Sequence, residues 1–240
     1  MILYVNGDSH SVGHGITVDN YGMVKNDPEY AHIGEAPHPN SFPFSYGSVL
    51  SQSLPADLVC QGLSGGSWDR VIRLTKQFVY QSRGNIFVLL GLPDSQREEW
   101  LHNGVYYQIN AIGAESLPLE LQTKYKQWVI AKDEHIWHRR SLYMHDTATK
   151  LHHWLKQHNV MHLFFCFSQC LNMARAQLPE VTDFGANFFH PYDQDFIYEV
   201  WCKKQGFKKD VNGHYGADAH AAWAMLLEPY IRKVISDSIR

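Results

Sequence analysis

The opening run Met1-Ile2-Leu3-Tyr4-Val5-Asn6-Gly7-Asp8-Ser9-His10-Ser11 sets how the rest of the chain is read. Ile2–Val5 is an apolar segment too short for a helix, and it ends in the turn-forming residues Asn, Gly and Asp. It reads as a buried strand whose C-terminal end delivers a serine. Three further segments of this kind follow: Leu58–Cys60, Ile86–Leu90 and Met161–Phe167. Between them lie stretches with helical spacing, such as Val71, Leu74 and Phe78 on Ser67–Ser82, and Trp223, Leu227, Tyr230 and Val234 near the C-terminus. Parallel strands need crossover connections, and the intervening helices supply them. The alternation predicts an α/β fold, a three-layer α/β/α sandwich with a central parallel sheet.

Residues 118–158 open with Pro118 and carry Leu121, Tyr125, Trp128, Leu142, Leu151 and Leu155 at roughly helical intervals, which predicts one long or broken helix. Two segments escape the pattern: residues 10–41, rich in Gly, His, Pro and Asn, and residues 92–117. Both follow strand ends, where open α/β sheets place their ligands, so they are read as loops over a pocket. No repeat, charge block or linker divides the 240 residues, and one domain is expected.

Composition narrows the function classes. With 45% hydrophobic residues the chain can fill a sizeable core, and a formal net charge of −3 offers no broad field for nucleic acid or a membrane surface. Cys60, Cys166, Cys170 and Cys202 contain no CxxC pair, and Cys166 and Cys170 flank an apolar run that reads as buried. Reduced thiols in a cytoplasmic-type protein are expected. The N-terminus lacks the pattern of a signal peptide. The longest apolar run, around Val160–Phe167, falls far short of the ~20 residues that span a bilayer.

Ser9, at the end of a strand, is placed for nucleophilic work, because the turn exposes its hydroxyl and following N–H groups can face a developing oxyanion. Asp8-Ser9 suits an Asx turn or a helix cap equally well. A hydroxyl nucleophile needs a base, and the base an acid to orient it; these can be distant in sequence. Asp210 and His214, within Asp210-Val211-Asn212-Gly213-His214-Tyr215-Gly216-Ala217-Asp218-Ala219-His220, can supply them.

Taken in order, these segments resemble the SGNH/GDSL hydrolase superfamily. That family has Gly-Asp-Ser after the first strand, Gly after the second, Gly-x-Asn-Asp after the third and Asp-x-x-His before the last helix. Here Gly7-Asp8-Ser9, Ser64-Gly65-Gly66-Ser67, Gly91-Leu92-Pro93-Asp94 and His214, with His220 beyond it, stand at the four places. The resemblance implies a flavodoxin-like fold and a serine esterase working through an acyl-enzyme, acting on an O-acyl group such as acetate on a carbohydrate or on a small ester. It makes Ser9 the nucleophile, His214 the base and Asp210 the orienting acid. The backbone N–H groups of Ser9 and Gly65 would hold the oxyanion, with Gly66 the alternative to Gly65. No cofactor and no metal are implied, and the partner expected is the ester substrate. Pro93 stands where the family has its side-chain oxyanion donor, and Pro has no N–H. Ser95, Gln96 or Arg97, beside Asp94, are the replacements in reach, and the run from Gly91 to Trp100 resembles phage and environmental variants. The family's acid lies three residues before the His, where this chain has Val211; Asp210 is one further back, and Asp218 is its competitor.

Two other classes fit parts of the sequence. Asp8-Ser9-His10 matches the Asp-x-His opening of metal-dependent phosphoesterases, and 15 histidines are in keeping with it, but the Gly-Asp-x-x-Asp and Gly-Asn-His blocks of two-metal enzymes are missing. A binding or structural module on the same fold is the reading that the loss of the third-block Asn favours. The pairs His152-His153, His145-Asp146 and His135 with His138 read as exposed helix faces, and Phe188, Phe189, Tyr192, Phe196 and Trp201 as core.

Overall fold

The computed structural model describes residues 1–16, 39–110, 117–131, 136–168, 171, 182–210 and 213–239. Most of the 10–41 segment, and Cys170 and His135, therefore lie outside the described residues. In chain order the elements are β1 (Ile2–Asn6), α1 (Tyr46–Ser53), β2 (Asp57–Cys60), α2 (Trp68–Gln81), β3 (Ile86–Leu92), β4 (Glu98–His102) and β5 (Val105–Ile109). Then follow α3 (Leu119–Ile130), α4 (Ile136–Gln157), β6 (Met161–Cys166), α5 (Tyr198–Lys204) and α6 (Ala217–Ile239).

The main sheet is four-stranded in the order β2-β1-β3-β6. Each neighbouring pair is parallel, with Leu3 opposite Leu58 and Phe87, and Leu89 opposite Leu163. The two-residue period of a strand sorts its side chains between two cores. Leu3, Val5, Phe87, Leu89, Leu163 and Phe165 pack beneath Tyr46 and Leu50 of α1 and Trp223, Leu227 and Ile231 of α6. Tyr4, Val88, Leu90 and Phe164 turn the other way, toward Trp68 and Val71 of α2 and Ala148, Leu151 and Leu155 of α4. Helices thus cover both faces, the three layers that the alternation predicts. The first crossover carries the chain to one side of β1 and the second to the other. The crevice at such a reversal lies at the C-terminal end of β1, where Ser9 follows.

The segment 118–158 is two helices, α3 and α4. Within 92–117, where a loop is expected from the sequence, β4 and β5 form an antiparallel hairpin with Trp100 opposite Tyr107. Its turn is Asn103-Gly104, at φ 49° and 80°. Both residues lie in the left-handed region that a tight hairpin turn demands, which Asn-Gly tolerates best. Trp100 and Ile109 bury against Leu117, Leu121 and Tyr125, a small core separate from the sheet. The hairpin leaves little trace in the sequence because its other face is charged or exposed and its apolar alternation is weak. Cys60, Cys166 and Cys202 form no disulfide among the described residues. No helix among them is long and apolar enough to cross a membrane.

Candidate active site

The turn after β1 is braced from within. The buried side chain of Asn6 accepts the Gly7 N–H at 2.8 Å and donates to the Tyr4 hydroxyl at 2.9 Å. Asp8 accepts the His10 N–H through Oδ1 at 3.1 Å, an Asx turn, while its Oδ2 receives Arg97 Nη1 at 2.9 Å. Residues 8–15 continue as successive turns instead of a helix. A β-carbon on Gly7 would stand 2.9 Å from the Gly91 carbonyl oxygen, so the close seat of this turn on β3 excludes larger residues. Ser9 is 5% exposed.

His214 reaches this turn from a loop more than 200 residues away. Its Nε2 lies 2.9 Å from Ser9 Oγ. The loop is closed by an antiparallel bridge between Lys209 and Tyr215, by the Asp210 N–H donating to the His214 carbonyl at 2.7 Å, and by the His214 N–H donating to Asp210 Oδ1 at 2.7 Å. Asp210 thus grips the main chain of His214. Gly15, at φ +74°, packs against both: a β-carbon there would come within 2.5 Å of Asp210 Oδ2 and 2.8 Å of His214 Cβ. Asp218, the competing acid, accepts the Ala219 N–H at 2.8 Å in the first turn of α6. His220 is fully buried beside Tyr46, whose N–H donates to its Nδ1 at 3.3 Å.

The surroundings hold His214 neutral. Burial pushes its imidazole down to about 3, and the nearby His10, His14, Lys209 and Arg97 add to the effect. The rings of His10 and His14 lie 5.2 and 4.6 Å from that of His214. His10 in turn faces Glu199 at 3.6 Å. Burial alone would raise the Glu199 carboxyl, but His10 and Lys209 outweigh it and hold the group down at about 2.

The residues proposed around the oxyanion fall into distinct positions. The Gly66 N–H is committed to the Leu63 carbonyl at 2.8 Å, closing the turn that Gly65 enters at φ +73°. The Leu63 N–H donates to the Gly7 carbonyl at 3.2 Å, which lays this turn against the Ser9 turn. Asp94 accepts the Gln96 N–H through its side chain at 2.8 Å and the Arg97 N–H through its carbonyl at 3.2 Å. Ser95 is buried, its carbonyl receiving Arg140 Nε at 2.9 Å. The Arg97 side chain reaches the Ser9 turn, pairing with Asp8 and standing 3.5 Å from the Gly66 carbonyl.

Four residues near the site were not read from the sequence: His14, Gly15, Asn110 and Glu199. Asn110 follows β5 and lies over Gly65, where a β-carbon would stand 3.1 Å from its Nδ2. The Asn-Gly turn was the available signal for the hairpin that brings it there. Among the described residues no group of three or more His, Cys, Asp or Glu side chains is arranged to hold a metal ion. A cavity of about 370 Å³ opens beside the His214 loop, lined by Gly15, Phe207, Lys208, Asp210 and Asp218 among others.

No family model matches the chain and no curated protein is similar to it in sequence. Solved structures are. An acetyl xylan esterase from the rumen bacterium Butyrivibrio proteoclasticus is similar over 98% of this chain and 64% of its own, at 11% identity and a TM-score of 0.45. A carbohydrate esterase family 2 enzyme with a carbohydrate-binding domain, from Corynascus thermopiles (Myceliophthora fergusii), is similar over 98% of this chain and 66% of its own, at 15% identity and a TM-score of 0.46. The chain spans less than two thirds of the length of either. A lipolytic protein of the G-D-S-L family from Desulfitobacterium hafniense is similar over 98% of this chain and 99% of its own, at 12% identity and a TM-score of 0.34. In outline the chain is similar to two esterases and to a G-D-S-L family protein.

Proposed function

We propose that the chain is a serine esterase that works through an acyl-enzyme on Ser9. The observation that carries this reading is the 2.9 Å approach of His214 Nε2 to Ser9 Oγ. A neutral imidazole at that distance accepts the serine proton as Oγ bonds to the acyl carbon, and the carbonyl electron pair moves onto its oxygen. Collapse of the tetrahedral adduct breaks the bond to the alcohol, which takes the proton back from His214. Water, deprotonated by the same imidazole, then releases the acid. Asp210 acts on this base through the main chain, holding the His214 loop in register with the Ser9 turn. The N–H groups of Ser9 and Gly65 face the oxyanion; Gly66 is less suited, since its N–H already serves the turn.

The polar surroundings support a short acyl group such as acetate on a hydrophilic alcohol, a carbohydrate included. His10, His14, Arg97 and Asn110 bring hydrogen-bonding groups close to His214 and the turns of Ser9 and Gly65, which suits a polar alcohol. Labelling with a fluorophosphonate probe, alongside hydrolysis of p-nitrophenyl acetate and octanoate, tests the reading. The native chain is expected to label and to prefer the acetate, and Ser9→Ala and His214→Ala to lose both labelling and turnover. Labelling that survives the loss of Ser9, or an inert native chain, refutes it.

A further inference from the structure

Pro93 leaves the third oxyanion donor unassigned, and the hairpin supplies a different one. We propose that Asn110 is a catalytic residue whose side-chain amide donates to the oxyanion beside Gly65; this rests on Ser9 forming the tetrahedral adduct. The placement comes from how β5 is docked. Glu99, 4% exposed at its side chain, accepts Arg73 through both carboxylate oxygens, Nε at 2.7 Å and Nη2 at 2.6 Å. The same Glu99 receives Gln108 Nε2 at 2.8 Å, and Gln108 Oε1 accepts the Ser67 N–H at 3.0 Å. Ser67 caps α2, accepting the Arg70 N–H at 3.3 Å, and stands two residues after Gly65. The chain of contacts therefore runs from α2 through β4 to β5 and back to the glycine turn itself.

Asn110 is the residue just after β5, two beyond Gln108, so the docking of Gln108 on Ser67 brings it to this turn. Its carbonyl is held by the Tyr125 hydroxyl at 2.9 Å, and its Nδ2 comes within 3.1 Å of where a β-carbon on Gly65 would lie. A donor whose main chain is anchored in this way, directly after a docked strand, needs little reorganisation when charge appears, the property that makes oxyanion donors effective. In the step itself the Ser9 Oγ–carbon bond forms, the carbonyl π pair becomes the oxyanion lone pair, and the proton passes to His214. Asn110 Nδ2–H adds a hydrogen bond that strengthens as that charge grows.

The test is steady-state hydrolysis of p-nitrophenyl acetate by the full chain and its Asn110→Ala and Asn110→Asp variants, with near-UV circular dichroism as the measure of folding. Asp keeps the shape of Asn and removes its N–H donors. Both variants are expected to lose about 10²-fold in kcat, with KM changed little and the native near-UV signal retained. Native kcat in Asn110→Asp, a change confined to KM, or a loss of activity that follows a loss of the near-UV signal overturns the assignment. An inactive native chain, by contrast, refutes the esterase reading on which it stands.

Discussion

At the scale of single residues, the proposed esterase needs His214 as a neutral base, and glycines leave that residue room. Because burial holds His214 near 3 instead of the ordinary 6.5, the fraction of unprotonated base stays high as pH falls through 6.5. The acid limb of kcat/KM is expected to lie well below 6.5, with activity lost only as pH approaches about 3; a pH–rate profile with an inflection near 6.5 contradicts this. Gly15 allows the closest packing against the base loop. Gly15→Ala sets a methyl group against Asp210 Oδ2 and His214 Cβ from a positive-φ backbone, so Nε2 must shift away from Ser9 Oγ. A displacement of that order is expected to lower kcat by about 10²-fold, measured on p-nitrophenyl acetate, with the chain still folded. Arg97→Ala leaves the 4% exposed Asp8 carboxylate without its guanidinium partner. Loss of about 2 kcal/mol in urea unfolding is expected, and Arg97→Lys should recover only part of it, since an ammonium cannot reproduce the geometry of the planar guanidinium.

At the scale of elements, the hairpin β4–β5 replaces what the resemblance would make a catalytic loop. It packs on α3 through Trp100 and Ile109, but its hold on α2 and the glycine turn is polar: the buried carboxylate of Glu99 joins Arg73 of α2 to Gln108 of β5, and Arg140 of α4 pairs with Glu98 at 3.3 Å. Removing that carboxylate in Glu99→Ala loosens the hairpin from the turn of Gly65 while the small core that it shares with α3, of Trp100, Ile109 and Tyr125, persists. Amide exchange is expected to quicken in Glu98–Ile109 with little change in β1 and β3, and kcat to fall with it. Uniform quickening across the sheet would show instead that the hairpin and the sheet unfold as one unit. Gly91 illustrates a tighter constraint inside β3: a β-carbon there would lie 2.1 Å from the Phe167 ring. No rotamer of a substituent relieves such a contact without moving Phe167, which explains why the third block begins with glycine.

At the scale of the whole molecule, buried neutral histidines tie the fold to pH. His152 Nδ1 and His162 Nε2 are 2.9 Å apart, and His162 Nδ1 lies 2.9 Å from the Val160 carbonyl. That carbonyl requires the proton on His162 Nδ1, so His162 Nε2 accepts and His152 donates; both rings are neutral. Burial is the main cause that lowers His152 to about 4 and His162 to about 3, and it lowers His220 to about 3 as well. A histidine whose folded value lies below its unfolded value binds fewer protons when folded, so unfolding is favoured as pH falls beneath the unfolded value. Stability is accordingly expected to decline from about 6.5 downward and to keep declining to about 3, as followed by urea midpoints across that range. A midpoint unchanged between those limits contradicts the neutral pair. The two histidines were read as part of helix faces or an apolar strand, and their pairing across α4 and β6 is a property of packing alone.

What the sequence determined by itself is what depends on local pattern. Apolar segments too short for helices, separated by helical spacing, specify a parallel sheet covered on both faces, and turn residues after β1 specify that Ser9 stands at a strand end. Gly-Asp-Ser could be singled out because it stands at a strand end, and His214, one of 15 histidines, because the ordered blocks together resemble the SGNH/GDSL hydrolases. The tertiary structure decided which side chains meet. Whether Asp210 acts on the imidazole or on the main chain of His214, which of Ser95, Gln96 and Arg97 reaches the nucleophile turn, and how Asn110 arrives above Gly65 all depend on contacts between residues far apart in the chain. Burial and distance set those contacts, and neither is encoded in spacing along the sequence.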